Sequence, residues 1–225
     1  MGIVKTNLFG GSSIGVYLSI SSKMMLYPSV TPKEKVVLFK DAFDDNFPIL
    51  PLMVNQSALL GCYCVMNLNG IIVPDLITET ESEKIKSYVE KYDMNYCEIS
   101  TRDNAIGNLI MTNDKGSVIS SYLKNNVTQI QDTLDVEVLI LDYATTRLAG
   151  SAGITNNKGC CVHPMVTDDE ADMISDVLKV PIDVSTINMG DPFVHAGIAA
   201  NDFGAIIGDL SSGPEMMRIT NMLKL

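Results

Sequence analysis

Apolar residues in this chain come in short bursts separated by polar turns, and the bursts recur. Glycines stand before similar apolar stretches at Gly15, Gly61, Gly107, Gly150 and Gly197, at intervals of 46, 46, 43 and 47 residues. Asn67, Asn113 and Asn156 follow three of these glycines by six positions, and Gly70, Gly116 and Gly159 follow the same three by nine. A period in this range marks one supersecondary unit copied along the chain. The fifth copy reads as the same pattern with a turn two residues shorter, carried by Gly204 and Gly208.

Each copy predicts the same run of elements. The glycine opens a short apolar strand, as in Gly61-Cys-Tyr-Cys-Val-Met66, and a polar turn ending in glycine follows, as in Asn113-Asp-Lys-Gly116. Such turns supply the backbone freedom that a tight hairpin demands. A brief apolar return strand comes next, as in Ile71-Ile-Val73, and then a helix start. Four copies show a hydroxyl residue with a carboxylate three positions on: Thr31 with Glu34, Thr78 with Glu81, Thr167 with Glu170 and Ser212 with Glu215. That spacing satisfies two free amides reciprocally, and Pro32 would sit at the first helical position. The third copy has the weaker Asn126-Val-Thr-Gln129. One apolar stripe per helix, such as Ile85, Tyr88, Val89 and Tyr92, predicts a single buried face. A β-branched stretch closes the unit, as in Val136-Glu-Val-Leu-Ile140.

The last copy lacks that closing strand, while a spare strand, residues 2–7, precedes the first. The economical arrangement is an α/β fold of five pseudosymmetric ββαβ units in a closed ring, with the N-terminal strand completing the fifth. Closure removes the open strand edges that a linear array would have to protect. This predicts one domain over 1–225, with units at about 14–54, 60–100, 106–143, 149–187 and 195–225.

Composition narrows the function. The 225 residues are 46% hydrophobic, which is too apolar for a disordered chain. The longest unbroken apolar stretch, residues 58–66, is far too short to span a bilayer. No leader is visible at the N-terminus, and five cysteines without a disulfide spacing fit reduced thiols in the cytoplasm. The 27 acidic against 16 basic residues give a net charge of −11, which disfavours DNA or bulk RNA as a partner because phosphate attraction needs clustered cations.

The ring of five ββαβ units resembles the pentein fold, a five-bladed β/α propeller. Within that group, Gly70-Ile-Ile-Val-Pro74, Ala105-Ile-Gly-Asn108, Thr112-Asn-Asp-Lys-Gly116, Gly159-Cys-Cys-Val-His-Pro164, Leu178-Lys-Val180 and Met222-Leu-Lys-Leu225 are similar to the translation initiation factor 6 family. The resemblance covers essentially the whole chain. It implies a cytoplasmic, monomeric ribosome anti-association factor that also serves ribosome maturation, uses no cofactor and performs no catalysis. Such a factor docks on the intersubunit face of the large ribosomal subunit, chiefly on a ribosomal protein near the sarcin–ricin loop. The chain stops at its last helix, without the tail of eukaryotic members, so an archaeal member is expected.

Candidate site residues follow from the resemblance and the repeat. Asn108 and the neighbouring edge around Cys62 and Asn67 are implied to meet the partner, although Asn67, repeated at a hairpin turn, also fits a local structural role. Lys23, Lys115 and Lys158 hold one register position and would form a sparse cationic fringe that touches rRNA or is simply solvated. Cys160, Cys161 and His163, with Cys62 and Cys64, do not have zinc-site spacing; cysteines there replace Ile71, Ile72 and Val118 and read as small core residues. The alternative function is a pentein-type guanidino-group hydrolase or amidinotransferase with a Cys–His site. Against it, the fifth unit, where such enzymes carry their nucleophile, has no cysteine. His195, just before Gly197, is expected to face the centre of the ring.

Overall fold

The computed structural model describes residues 2–225; Met1, the first residue of the expected domain, lies outside the described residues. A lone strand, β1 (Ile3–Thr6), comes first. The first unit then runs β2 (Ser19–Ile20), β3 (Met25–Pro28), α1 (Lys33–Lys40) and β4 (Ile49–Leu52). The second is α2 (Leu60–Tyr63), a single turn, then β5 (Val65–Met66), β6 (Gly70–Pro74), α3 (Glu79–Lys91) and β7 (Asn95–Ile99). The third is β8 (Ile110–Thr112), β9 (Gly116–Ile119), α4 (Val127–Leu134) and β10 (Glu137–Ile140). The fourth is β11 (Gly153–Thr155), β12 (Cys160–Val162), α5 (Asp168–Leu178) and β13 (Ile182–Val184). The fifth is β14 (Ile198–Ala200), β15 (Ala205–Gly208) and α6 (Gly213–Leu223).

Every unit forms its own three-stranded sheet, an antiparallel hairpin followed by a parallel outer strand, and the five sheets are not joined edge to edge. The outer strand of the fifth sheet is β1, which pairs parallel with β15 from Ile3 opposite Ala205 to Thr6 opposite Gly208. The spare strand at the start thus supplies what the last unit lacks.

Two details differ from the pattern read in the sequence. The repeated glycines lie in single helical turns ahead of the strands, at Ile14–Val16, α2 and Ile106–Asn108. Their purpose is close approach. A Cβ on Gly61 would fall 1.8 Å from the Gly15 carbonyl oxygen, and Cβ atoms on Gly107 and Gly150 would each fall 2.1 Å from the carbonyl of the preceding unit's glycine. The same contact on Gly15 is made by the His195 carbonyl, not by Gly197. His195 therefore holds the fifth register position, with Asn201 six and Gly204 nine residues beyond, and the fifth hairpin has full length.

The asparagines six residues into the units explain the regular spacing. Asn113 donates from Nδ2 to the carbonyls of Asn156 (3.1 Å) and Leu178 (3.0 Å) of the next unit, and its Oδ1 accepts from the amides of Lys115 and Gly116 in its own hairpin. Asn67 repeats this toward Asn113 and Leu134, and Asn156 toward Asn201 and Leu223. Asn201 carries the series from the fifth unit to the first, donating to the Ser21 carbonyl at 3.0 Å. One side chain thus folds its own turn and fixes the neighbouring unit. All four are buried.

Hydrophobic packing follows the same rule. Five clusters fill the interior, each drawing on two neighbouring units. Val65, Ile72 and Ile99 pack with Ile106, Ile119 and Leu134, for example, while Val4, Ala199 and Ile206 pack with Ile14, Met25 and Phe39. Alternation along a strand sends successive side chains to opposite faces. Cys160 and Val162 on β12 therefore enter one cluster while Cys161 enters the next.

Three of the four expected capping boxes are present, at Thr78, Thr167 and Ser212. The first is absent because Pro32, at ψ 140°, is the cap itself and α1 starts one residue later than expected. Thr31 Oγ1 is left buried without a partner. The glutamates of the other boxes also hold the loop that enters their unit: Glu81 accepts from the amides of Asn55 and Gln56, Glu170 from Ala144, and Glu215 from Met189 and Gly190.

Removing a four-bond buried amide strands both its donors and its acceptors. Asn113→Ala is therefore expected to lower stability by about 2–4 kcal/mol, read as a fall in the urea midpoint at unchanged slope. An unchanged midpoint would show that the asparagine series does not hold the units together.

Candidate functional site

The repeat itself places the candidate side chains. Cys62 follows Gly61, and Asn108 follows Gly107 at the same register position one unit on. Because Gly107 packs against the Gly61 carbonyl, the two following residues are held side by side, with the Asn108 amide against the Cys62 thiol. Burial pushes the Cys62 pKa up, and the contact with Asn108 partly opposes it. Both residues are half-buried. The Asn108 main-chain carbonyl accepts from the amides of Gly150 and Ser151, at 3.0 and 3.2 Å, which fixes its backbone. Its side-chain amide, unlike those of the asparagine series, makes no hydrogen bond to a main-chain group among the described residues. This is a half-buried amide on fixed backbone, and its contact with Cys62 leaves further donor and acceptor capacity.

The loops entering the units lie at this same end of the strands, opposite the hairpin tips. Phe9 stacks edge-on against Tyr17 with ring centroids 5.1 Å apart and stays 47% exposed. Met189 is 75% exposed, on a left-handed backbone that Glu215 pins. Leu59 is exposed on the turn leading into Cys62. The entry-loop end therefore carries apolar side chains on braced loops, at the same end as the Asn108 amide that rests on Cys62. Phe9 and Met189 gave no signal in the sequence, since a lone apolar residue in a loop has no periodicity.

The remaining expected contact residues lie at the other end. Asn67 is 2% exposed and its amide is fully used in the series described above, so it has nothing to present to a partner. Lys23, Lys115 and Lys158 do share one rim, but their ammonium groups are engaged within the protein. Lys23 Nζ donates to the Asp93 carbonyl (2.7 Å), Lys115 Nζ to Asn157 (2.8 Å), and Lys158 Nζ to Asp202 (2.7 Å) and Lys224 (3.2 Å). Asp93 and Lys224 end helices α3 and α6, where a cation is favoured by the free carbonyls. The fringe is thus chiefly a set of inter-unit clamps.

Strands from all five units face a central cavity of about 70 Å³, lined among others by Ser19, Met66, Thr112, Thr155 and Ala200. His195 lines it too, as expected, and no hydrogen bond to its ring is present among the described residues. Desolvation lowers its pKa to about 4, so the ring is neutral at physiological pH. A Cys–His reaction would need a thiolate within reach. Cys64, Cys160 and Cys161 are buried, and burial pushes their thiols up, Cys161 to about 12. Among the described residues no three of His, Cys, Asp and Glu are grouped as a metal ion requires. No helix there is long and apolar enough to cross a membrane.

Comparison with known proteins agrees over the full length. Residues 3–222 match the eIF-6 family. The chain is 38% identical to translation initiation factor 6 of Methanococcus vannielii, covering 99% of both sequences. It is 34% identical to the protein of that name in Methanocaldococcus jannaschii, over 99% of this chain and 98% of the relative. With the one from Staphylothermus marinus the identity is 32%, over 97% and 96%.

The neutral His195 makes a sign-specific prediction. Its folded pKa lies below the ordinary 6.5, so the unfolded chain takes up its proton first as pH falls. Stability present above pH 6.5 should therefore decline between 6.5 and about 4. The decline should be shallower in His195→Gln, measured as urea midpoints across that window. Parallel curves for the two proteins would contradict a desolvated ring. Thiol labelling of the native protein at pH 8 should reach Cys62 and Cys97 only, and modification of Cys64, Cys160 or Cys161 without unfolding would restore the thiol-enzyme alternative.

Proposed function

The chain belongs to the eIF-6 family, and from that premise we propose that this translation initiation factor binds the intersubunit face of the large ribosomal subunit and sterically keeps the small subunit away. The observation that carries the reading is the Cys62–Asn108 pair, a half-buried polar pair on fixed backbone at the end that also displays Phe9, Leu59 and Met189. An amide can pair with a partner's main chain without a charge to desolvate, and apolar groups around it exclude water. The docking partner is a basic ribosomal protein near the sarcin–ricin loop, with rRNA contact minor. The net charge of −11 speeds that encounter more than it sets affinity.

The job needs a stiff body and no chemistry. We take the five units to close into a ring and to act as one domain and one monomer. Supporting closure, the fifth unit touches the first through the His195 carbonyl against Gly15, through Asn201 on Ser21, and through a shared hydrophobic cluster. The protein makes or breaks no bond in this role. It works in the cytoplasm, where subunits are matured and joined.

Co-sedimentation with purified archaeal subunits tests this. The factor should travel with the large subunit and shrink the joined-ribosome peak. Asn108→Arg, which puts bulk and charge at the contact, should weaken binding at least tenfold, about 1.4 kcal/mol, with its urea midpoint unchanged. Protein that stays at the top of the gradient at low and moderate salt would sink the proposal.

A further inference from the structure

Each outer strand has the helix of the following unit alongside it, and a polar side chain bridges the seam in four cases out of five. Lys35 reaches Thr6 on β1 (2.9 Å), Tyr88 reaches the Pro51 carbonyl on β4 (3.2 Å), Asn95 on β7 reaches the Thr133 carbonyl (3.1 Å), and Arg218 forms a two-bond ion pair with Asp183 on β13. The seam between β10 and α5 has no such bridge among the described residues. At the register positions of Asp183 and Arg218 it carries Leu139 and Met173, and Met173 is 42% exposed.

The seam opens as a groove of about 230 Å³ lined by Glu137, Val138, Leu139, Met173, Asp176 and Val177. Three consecutive strand residues line it. Successive side chains point to opposite faces, so the groove follows the edge of β10, where main-chain groups are free, rather than a sheet face. Its floor is apolar, and its two walls carry carboxylates, Glu137 on the strand and Asp176 on the helix, neither in an ion pair among the described residues. Like charges across a groove repel one another and await a cation. A second copy of this chain, at net −11, is repelled, and so is a phosphate backbone.

We propose that this groove is a docking site for an extended basic segment of a partner protein, which adds a strand to β10, places an apolar side chain between Leu139 and Met173, and sets lysine or arginine against Glu137 and Asp176. Backbone pairing supplies affinity and the alternate pockets supply selectivity. The site lies on the outer wall, away from the Asn108 surface, and does not depend on the ribosomal reading.

The probe is an acetylated heptapeptide of alternating lysine and valine, titrated into isotopically labelled full-length protein and followed by amide NMR. The expected result is saturable shifts confined to residues 136–141 and 172–178. Two further results are expected: N-methylation of alternate peptide amides abolishes the shifts, and Glu137→Gln with Asp176→Asn weakens binding roughly five- to thirty-fold. Those isosteric surface changes leave the fold intact, as the unshifted remainder of the spectrum verifies. Shifts centred elsewhere, no saturable binding, or equal binding by the N-methylated peptide would each overturn the proposal, the last by reducing it to charge attraction alone.

Discussion

How closely one unit can approach the next governs the rest of this molecule. At Gly61, Gly107 and Gly150 the main chain of one unit lies where a Cβ would be, so any side chain there would push neighbouring units apart. That approach brings the buried asparagines within reach of the following unit's carbonyls, and it makes every hydrophobic cluster the joint property of two units. No unit buries its apolar face alone. In arrays of this kind stability resides in the interfaces as much as in the repeats, and a defect at one interface strands apolar surface on both sides of it.

The same constraint separates the two ends of the strands. At the hairpin tips nearly every polar group is used between units. Asn157 Nδ2 donates to Asp114 (2.5 Å) and Asp202 (2.6 Å), Ser22 donates to Asp114, and the lysines lie on neighbouring carbonyls. At the entry loops the main chain is equally fixed, by Glu81, Glu170 and Glu215, but Met189 and Phe9 keep exposed side chains. A surface whose backbone is fixed and whose side chains are free is suited to recognition, because little order remains to be imposed on binding.

Local signals in the sequence were sufficient for the units and their order. The Asn–Gly turn spacing and three capping boxes each have a cause within about ten residues and are found in the structure, while the missing last strand is legible from the repeat although the strand that replaces it, β1, lies about 200 residues away. What the sequence concealed has distant causes. In the fifth unit a histidine stands where the other units have glycine, so the sequence pattern puts the register two residues late, and only the contact of the histidine carbonyl with Gly15 identifies it. Asn67 fits a partner contact as well as a hairpin turn in the sequence, because its acceptors, Asn113 and Leu134, lie 46 and 67 positions away. Pro32 reads as the first helical residue in the sequence, whereas its own ψ makes it the cap. The lysine fringe was legible as a register but not as a set of clamps, since its acceptors are carbonyls, which any residue provides.

The centre of the molecule leaves little room for a ligand. Five strands converging on one point leave about 70 Å³, well short of the roughly 300–1,000 Å³ of sites that enclose small molecules. His195 is desolvated and neutral there, Cys64 on the same lining is only 3% exposed, and Cys160 and Cys161 are buried in the clusters. The strands that meet there bring side chains of mixed size and polarity, from Ala200 and Ser19 to Met66 and His195, which together fill most of the space. Differences between units are tolerated at Asn108 rather than Cys62 after the glycine, and at Leu139 and Met173 rather than Asp183 and Arg218 across a seam. Those departures from the repeat are the positions where one unit can do what the other four do not.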